Sequence, residues 1–253
     1  MIFPTSEVIN FLQTSDRDYF RVERERGEIF PPNVWSAYHI MSPSGYDPMS
    51  QKDYVTYFEK QVNLNKEKNP GVSRYLELDK YNAIGLGEFN VKYLWVTKRD
   101  RDNKIFGDQI NKNIDMKEWK KVKETKGTVL LENLKLKPRI ALISDKGEED
   151  VKDIYIEEYT NNVVKIKFDS KIDNQKLILR DTWDGGWKAK VNGKTVKVEK
   201  FDYIFRQVNV SKGVGEVDFT YFPDSFKWGL IAAGVGLLIW IMGFFRLKRL
   251  GLK

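Results

Sequence analysis

The alternation of polar and apolar positions changes period along the chain. Thr5-Ser6-Glu7 supplies a helix start, and Val8, Phe11 and Leu12 then fall on one face. That spacing predicts a helix ending near Ser15-Asp16. Residues 18–23 read as a strand. Residues 29–35 cannot be helical, because Pro31 and Pro32 force an extended path. The stretch 42–48 is dense in Ser, Pro and Gly and reads as a loop. Ser50 is expected to cap a second helix, with Asp53 as its capping-box partner and Tyr54, Tyr57, Phe58 and Val62 as its apolar face. Residues 66–70 form a polar linker. Residues 89–96 read as a strand and 98–127 as a charged stretch with a short helix over 116–122. Gly85-x-Gly87 precedes its strand and lacks a third glycine, which excludes a phosphate loop.

From residue 128 the period becomes two. Strands are expected over 129–132, 139–143, 153–159, 163–168, 176–182, 187–192, 195–199, 203–210 and 216–222. Val164, Ile166 and Phe168 share one face, with Lys165 and Lys167 on the other. Trp187, Ala189 and Val191 point one way and Lys188, Lys190 and Asn192 the other. Val217, Phe219 and Tyr221 share a face in the same manner. Asn192-Gly193 is a two-residue hairpin turn. Short strands with turns at such intervals predict an antiparallel β-sandwich.

The pattern ends in residues 228–245, WGLIAAGVGLLIWIMGFF, eighteen residues without a charge. At about 1.5 Å per residue they reach across a hydrocarbon core of about 30 Å. Lys227, Trp228 and Trp240 suit interfacial anchors. Arg246, Lys248, Arg249 and Lys253 follow with no acid, whereas Lys227 is the single cation in the fifteen residues before Trp228. This asymmetry predicts a cytoplasmic C-terminus and an extracytoplasmic position for residues 1–226. Small residues at Gly229, Ala232, Ala233 and Gly236 have the spacing that lets membrane helices approach closely. Met1-Ile-Phe-Pro-Thr-Ser has neither a basic start nor an apolar run, so it is no signal peptide. The chain is therefore expected to be the C-terminal piece of a longer membrane protein, with upstream transmembrane helices and the lipid bilayer as partners.

The fold class expected is α+β. A small N-terminal α/β subdomain spans 1–127 and an antiparallel β-sandwich spans 128–223. One transmembrane helix with a basic tail spans 224–253. Composition narrows the chemistry. The formal charge of +7 includes five cations within 227–253 and no acid there, leaving +2 on residues 1–226. Nucleic acid is not an expected partner. No cysteine is present, which excludes thiolate nucleophiles and cysteine zinc sites. His39 is the single histidine, so no multi-histidine metal site is expected.

Several segments together resemble the YfhO family of bacterial membrane proteins. They are Phe20-Arg21-Val22, Pro32-Asn33, Ser44-Gly45-Tyr46-Asp47-Pro48, Phe89-Asn-Val-Lys-Tyr93, Leu131-Glu-Asn133 and Pro138-Arg139. The densest are Leu177-Ile-Leu-Arg-Asp-Thr-Trp183, Gly186-Trp187-Lys-Ala-Lys-Val-Asn-Gly193, Phe205-Arg206 and Phe219-Thr-Tyr-Phe-Pro223, with Ser225-Phe226 and Gly229 closing the series. The resemblance implies a long protein with many membrane helices, similar to the GT-C class of membrane glycosyltransferases. It further implies a polyprenyl-phosphate-linked sugar donor and a cell-wall glycopolymer acceptor such as lipoteichoic acid. In that class the catalytic carboxylate lies in the first external loop. No residue of this chain matches it, so no catalytic residue is assigned, and the chain itself is expected to hold no cofactor and no metal. A second functional class stays open, a non-catalytic membrane-anchored sandwich that binds envelope glycan or a protein.

Six residues are substrate-binding candidates, each with a plainer alternative. Tyr46 and Asp47, on Gly45-Tyr46-Asp47-Pro48, can hydrogen-bond sugar hydroxyls from a rigid loop, or can simply build a turn. Asn33 and His39 lie upstream on the same irregular stretch. Trp183 and Asp184 belong to Trp183-Asp-Gly-Gly-Trp187, whose rings can stack on a sugar or fill the core; the phase puts Trp187 inside. Arg206 can meet a phosphate or pair with an acid such as Asp181 on a neighbouring strand.

Overall fold

The computed structural model describes residues 5–15, 19–25, 27–65, 74–105, 107–144, 147 and 149–249. The linker expected at 66–70, the start of the strand at residue 18 and the last four residues of the basic tail lie outside them. The chain is α+β, and its residues group into two compact units. One comprises Met1–Ala141, Leu179–Thr182 and Lys200–Arg206; the other Leu142–Ile178, Trp183–Glu199 and Gln207–Lys253.

The first unit opens with helix α1 (Glu7–Thr14), capped by Ser6, whose hydroxyl accepts the Ile9 amide. Strand β1 (Arg21–Arg24) follows, then a 3-10 helix (Val34–Tyr38) directly after the two prolines, then β2 (Gly45–Tyr46). Helix α2 (Lys52–Gln61), β3 (Tyr75–Leu76) and α3 (Ala83–Glu88) precede β4 (Val91–Thr97), β5 (Trp119–Glu124) and β6 (Thr128–Asn133). These strands form a sheet of order β1-β4-β6-β5, with β1 parallel to β4 and the remaining pairs antiparallel. Tyr93, Trp95 and Leu130 pack with the apolar face of α1. Leu94, Val96, Val129 and Leu131 pack with residues of α2 and α3. Period two along a strand sends alternate side chains to opposite layers, so a strand covered on both faces reads as a continuous apolar run.

Three local expectations change. Residues 116–122 are not helical: Trp119, 1% exposed, sits in β5, which pairs with β6 and buries its ring. Ser50 does not cap α2. Its hydroxyl donates to the Asp47 carbonyl at 2.9 Å, and the helix starts behind Gln51, whose side chain makes no cap bond. The strand expected to open the sandwich, β6, pairs instead with β4 and β5 in this first sheet. Gly85 and Gly87 are packing residues of α3. A Cβ would lie 1.9 Å from the Gln61 carbonyl oxygen at Gly85 and 2.1 Å from the Lys135 carbonyl oxygen at Gly87. Buried Glu25 receives the Thr97 amide at 2.8 Å and the Tyr81 hydroxyl at 2.9 Å, together with the Arg99 guanidinium. Burial works against its charge, yet these donors outweigh it and hold the carboxyl below its ordinary range.

Ten further strands follow: β7 (Ile140–Ile143), β8 (Glu149–Asp150), β9 (Ile154–Tyr159), β10 (Val163–Ser170), β11 (Gln175–Thr182), β12 (Trp187–Val191), β13 (Lys194–Val196), β14 (Glu199–Phe201), β15 (Phe205–Val210) and β16 (Gly213–Tyr221). They form two five-stranded sheets, of order β13-β12-β16-β10-β9 and β14-β15-β11-β7-β8. In β10 the residues Val164, Ile166 and Phe168 are buried and the lysines between them are not. Val217 and Phe219 of β16 repeat this opposite Ile166 and Val164. Asn192 at φ 49° and Gly193 at φ 77° make the tight turn from β12 to β13. Trp187 differs from expectation. It is half-buried at the start of its strand, its ring 5.2 Å from that of Tyr221. Helix α4 (Asp224–Arg249) begins three residues after β16 and is exposed at every residue from 224 to 246 except Ile241, which is partly buried. Its stretch Asp224–Arg246 is long and apolar enough to cross a membrane.

Phe89 is fully buried with four aromatic rings around it, those of Tyr54, Tyr57, Phe58 and Phe205, at centroid distances of 5.2 to 5.8 Å. Phe89→Ala should cost about 3 to 5 kcal/mol, and Trp187→Ala only about 1 to 2 kcal/mol, because Trp187 is only partly buried to begin with. Chemical denaturation of the detergent-solubilised chain measures both; equal losses would contradict the burial difference.

Candidate functional site

The prolines at 31 and 32 deliver Asn33 in a left-handed conformation, φ 69°, at the head of the 3-10 helix. Trp35 and Tyr38 bury the inner side of that helix, which leaves Asn33 outside. Its amide then clasps the next loop. Nδ2 donates to the Tyr46 carbonyl at 2.7 Å, and the Tyr46 amide donates to Oδ1 at 2.9 Å. The side chain thus pairs with backbone as a neighbouring strand would. Gly45 is required by this contact, since a Cβ there would lie 2.3 Å from Asn33 Oδ1. On its other side Tyr46 faces Tyr75 across the β2–β3 pair, with ring centroids 4.9 Å apart.

Asp47 closes the turn. Its amide donates to the Arg74 carbonyl at 3.0 Å, and Oδ1 accepts the Met49 amide at 2.8 Å. The turn role anticipated for Asp47 is therefore present, and it fixes the carboxylate at the rim. Together these loops border an open cleft of about 390 Å³, lined by Asn33, Ser44, Tyr46, Asp47, Gln51 and Tyr54 among others. Tyr54 forms part of the wall. Its hydroxyl donates to the Pro43 carbonyl at 2.7 Å, and burial pushes its pKa up to about 12. The cleft offers an amide, a carboxylate, hydroxyls and aromatic faces. That equipment suits hydrogen bonding and stacking on a polyol.

The structure brings Asn33, Tyr46 and Asp47 together and sets the other three candidates elsewhere. Arg206 is 3% exposed and salt-bridged to Asp181 Oδ2 at 3.0 Å, the pairing expected for it. Arg21 and Arg139 meet Oδ1 of the same carboxylate, at 3.0 and 2.5 Å. Trp183 and Asp184 belong to the second unit. Trp183 is half-buried and donates its indole N–H to the Val198 carbonyl at 3.2 Å. Asp184 Oδ1 accepts the Gly186 amide at 2.8 Å. His39 borders a separate cleft of about 370 Å³ with Leu12, Gln13, Tyr19 and Phe20. Sequence reasoning missed Tyr54, Tyr75 and Thr182 as neighbours of Tyr46. Tyr54 looked like a helix-face apolar residue, and no local spacing announces the pairing of β2 with β3. Among the described residues no group of three or more histidine, aspartate or glutamate side chains could hold a metal ion.

Comparison with known proteins gives two matches. Residues 145–232 fit the family model described as "Bacterial membrane protein YfhO". Over 169 residues the chain is 27% identical to a Bacillus subtilis (strain 168) protein named "Uncharacterized protein YfhO", covering 62% of this chain and 19% of the relative. The chain thus spans about a fifth of the length of that curated relative. No solved structure matches it.

Removing the shared carboxylate tests the buried cluster. Asp181→Ala leaves three buried guanidinium groups without it, and should destabilise the first unit by about 3 to 5 kcal/mol. Arg206→Met, which keeps the carboxylate paired with two arginines, should cost clearly less. Urea midpoints of the two variants check the order; the reverse order would show that Asp181 does not organise the cluster.

Proposed function

From the match of residues 145–232 to the model of the YfhO family of bacterial membrane proteins, we propose that this chain is the extracytoplasmic, glycan-binding part of a membrane glycosyltransferase. In this reading a polyprenyl-phosphate-linked sugar is transferred to a cell-envelope glycopolymer. Other transmembrane helices of the same protein carry out the chemistry, and the present chain positions the acceptor. The observation that carries the reading is the cleft around Asn33, Tyr46 and Asp47. Its polar groups are held by backbone hydrogen bonds before any ligand arrives, and Tyr46 remains 37% exposed beside Tyr75. A half-exposed ring next to a fixed amide and a fixed carboxylate is an arrangement that recognises a sugar by stacking and by its hydroxyls.

The charge asymmetry around α4 supports the orientation. Cations follow the apolar stretch and are sparse before it, so the proposal sets both folded units outside the cytoplasm. A reporter that is active only in the cytoplasm, fused after Lys253, should be active, and one requiring export should be silent; the opposite pattern overturns the orientation.

Tyr46→Ala should lower the affinity of the detergent-solubilised chain for purified cell-wall glycopolymer about tenfold, equivalent to about 1.4 kcal/mol. Thermal unfolding should hardly move, because exposed substitutions stay within about 0.5 kcal/mol. Equilibrium binding to immobilised polymer measures the first quantity and a melting curve the second. Undiminished binding by the folded variant removes the cleft from the glycan path.

A further inference from the structure

Strand β16 runs into the membrane helix with almost no linker. Its last residue is Tyr221, and α4 starts at Asp224. The amides of Phe226 and Lys227 already donate to the Pro223 carbonyl, at 3.1 and 3.2 Å. Three residues span at most about 10 Å. Helix α4 has 26 residues, about 39 Å of length against a hydrocarbon core of about 30 Å, so its first turn reaches into the headgroup layer.

Two other loops are tied to this joint at the same level. The Tyr221 amide donates to the Asn162 carbonyl at 2.8 Å, and the Phe222 amide donates to the Gly186 carbonyl at 2.9 Å. Trp187 lies directly opposite Tyr221 in the β12–β16 ladder, ring against ring at 5.2 Å. Gly186 lets the loop approach closely: a Cβ there would lie 2.6 Å from the Tyr221 ring and 3.0 Å from Pro223. Phe222, Phe226 and Trp228 are 45%, 55% and 64% exposed, although large apolar rings normally avoid water. Lys188 and Lys227 stand beside them, Lys188 3.6 Å from Asp224 and Lys227 over the Trp228 ring. Exposed aromatic rings interspersed with lysines are the composition that collects at the membrane–water boundary.

We propose that residues 160–163, 183–187 and 221–223 form a rim that rests in the lipid headgroups on the side from which α4 enters. The rim is a lipid-contacting surface additional to the span, and it holds this unit at a defined angle to the membrane. It gives Trp183-Asp-Gly-Gly-Trp187 a role as membrane-surface loop, not sugar platform. Neither the glycan reading nor the orientation of the span is needed for it.

The absence of cysteine makes the test direct. Single variants Asn161→Cys, Gly185→Cys and Val214→Cys of the full chain would carry a nitroxide label in vesicles of phosphatidylethanolamine and phosphatidylglycerol. Gly185 tolerates the change, as nothing lies within 4 Å of an added Cβ. Val214, 83% exposed, is at the far end of β16, about 24 Å from Tyr221, and serves as the water reference. Collision with oxygen and with a water-soluble nickel chelate reports depth. The labels at 161 and 185 should show an oxygen-to-nickel ratio several-fold above that at 214. Ratios equal to that at 214 would overturn the rim. Labels at 161 and 185 shielded from both reagents would overturn it too, in favour of a protein covering the loops.

Discussion

One carboxylate holds together residues that lie far apart in the chain. Asp181 receives Arg21, Arg139 and Arg206, and all four residues are at most 9% exposed. Burying charge costs several kcal/mol per ion unless it is paired and hydrogen-bonded. Backbone carbonyls supply further acceptors. Arg21 also donates to the carbonyls of Phe89 and Arg180, at 2.8 and 2.9 Å, and Arg180 donates to that of Pro138 at 2.8 Å. The guanidinium group suits this task because its planar fork can serve carboxylate and carbonyls at once. The cluster fixes strand β1 and the chain segments at 139, 181 and 206 within the first unit. The three layers of that unit, α1, the four-stranded sheet and the α2–α3 pair, are built on the strands so fixed.

Much of this order could be read from the sequence, and the failures have causes. Where one face of a strand is buried, period two is imposed, and β10, β12 and β16 were legible for that reason. The Asn192-Gly193 turn was legible because both residues need positive φ. The short helix expected at 116–122 was wrong because Trp119 is held by pairing with β6, and local propensity in a lysine-rich segment carries no trace of that partner. The placing of β6 with the first sheet depends on its register with β4, again a non-local fact. Trp187 shares the phase of buried Ala189, but it is the first residue of its strand, where coverage falls away.

The cleft was legible in part. Tyr46 and Asp47 stood out as a phenol and a carboxylate on a loop stiffened by Gly45 and Pro48, and the structure gives Gly45, Tyr46 and Asp47 each a definite hydrogen-bonding or packing reason. Asn33 stood out only as a neighbour of prolines; that its side chain substitutes for a strand could not be read from spacing. The partners Tyr54, Tyr75 and Thr182 come from other segments and converge through folding alone. Arg206 was paired correctly with Asp181, while Arg21 and Arg139 were not foreseen as sharing it.

The joint at 221–223 has a mechanical consequence. Strand and helix are connected by too few residues to act as a swivel, so the azimuth of β16 about the α4 axis is set by helix phase. Each residue added within the first turn of α4 would rotate the sheet by about 100° and lift it by about 1.5 Å. Four added residues would nearly restore the heading while raising the sheet by about 6 Å. Residue count at this point therefore works as a gear, converting chain length into the compass direction that the second unit presents along the membrane.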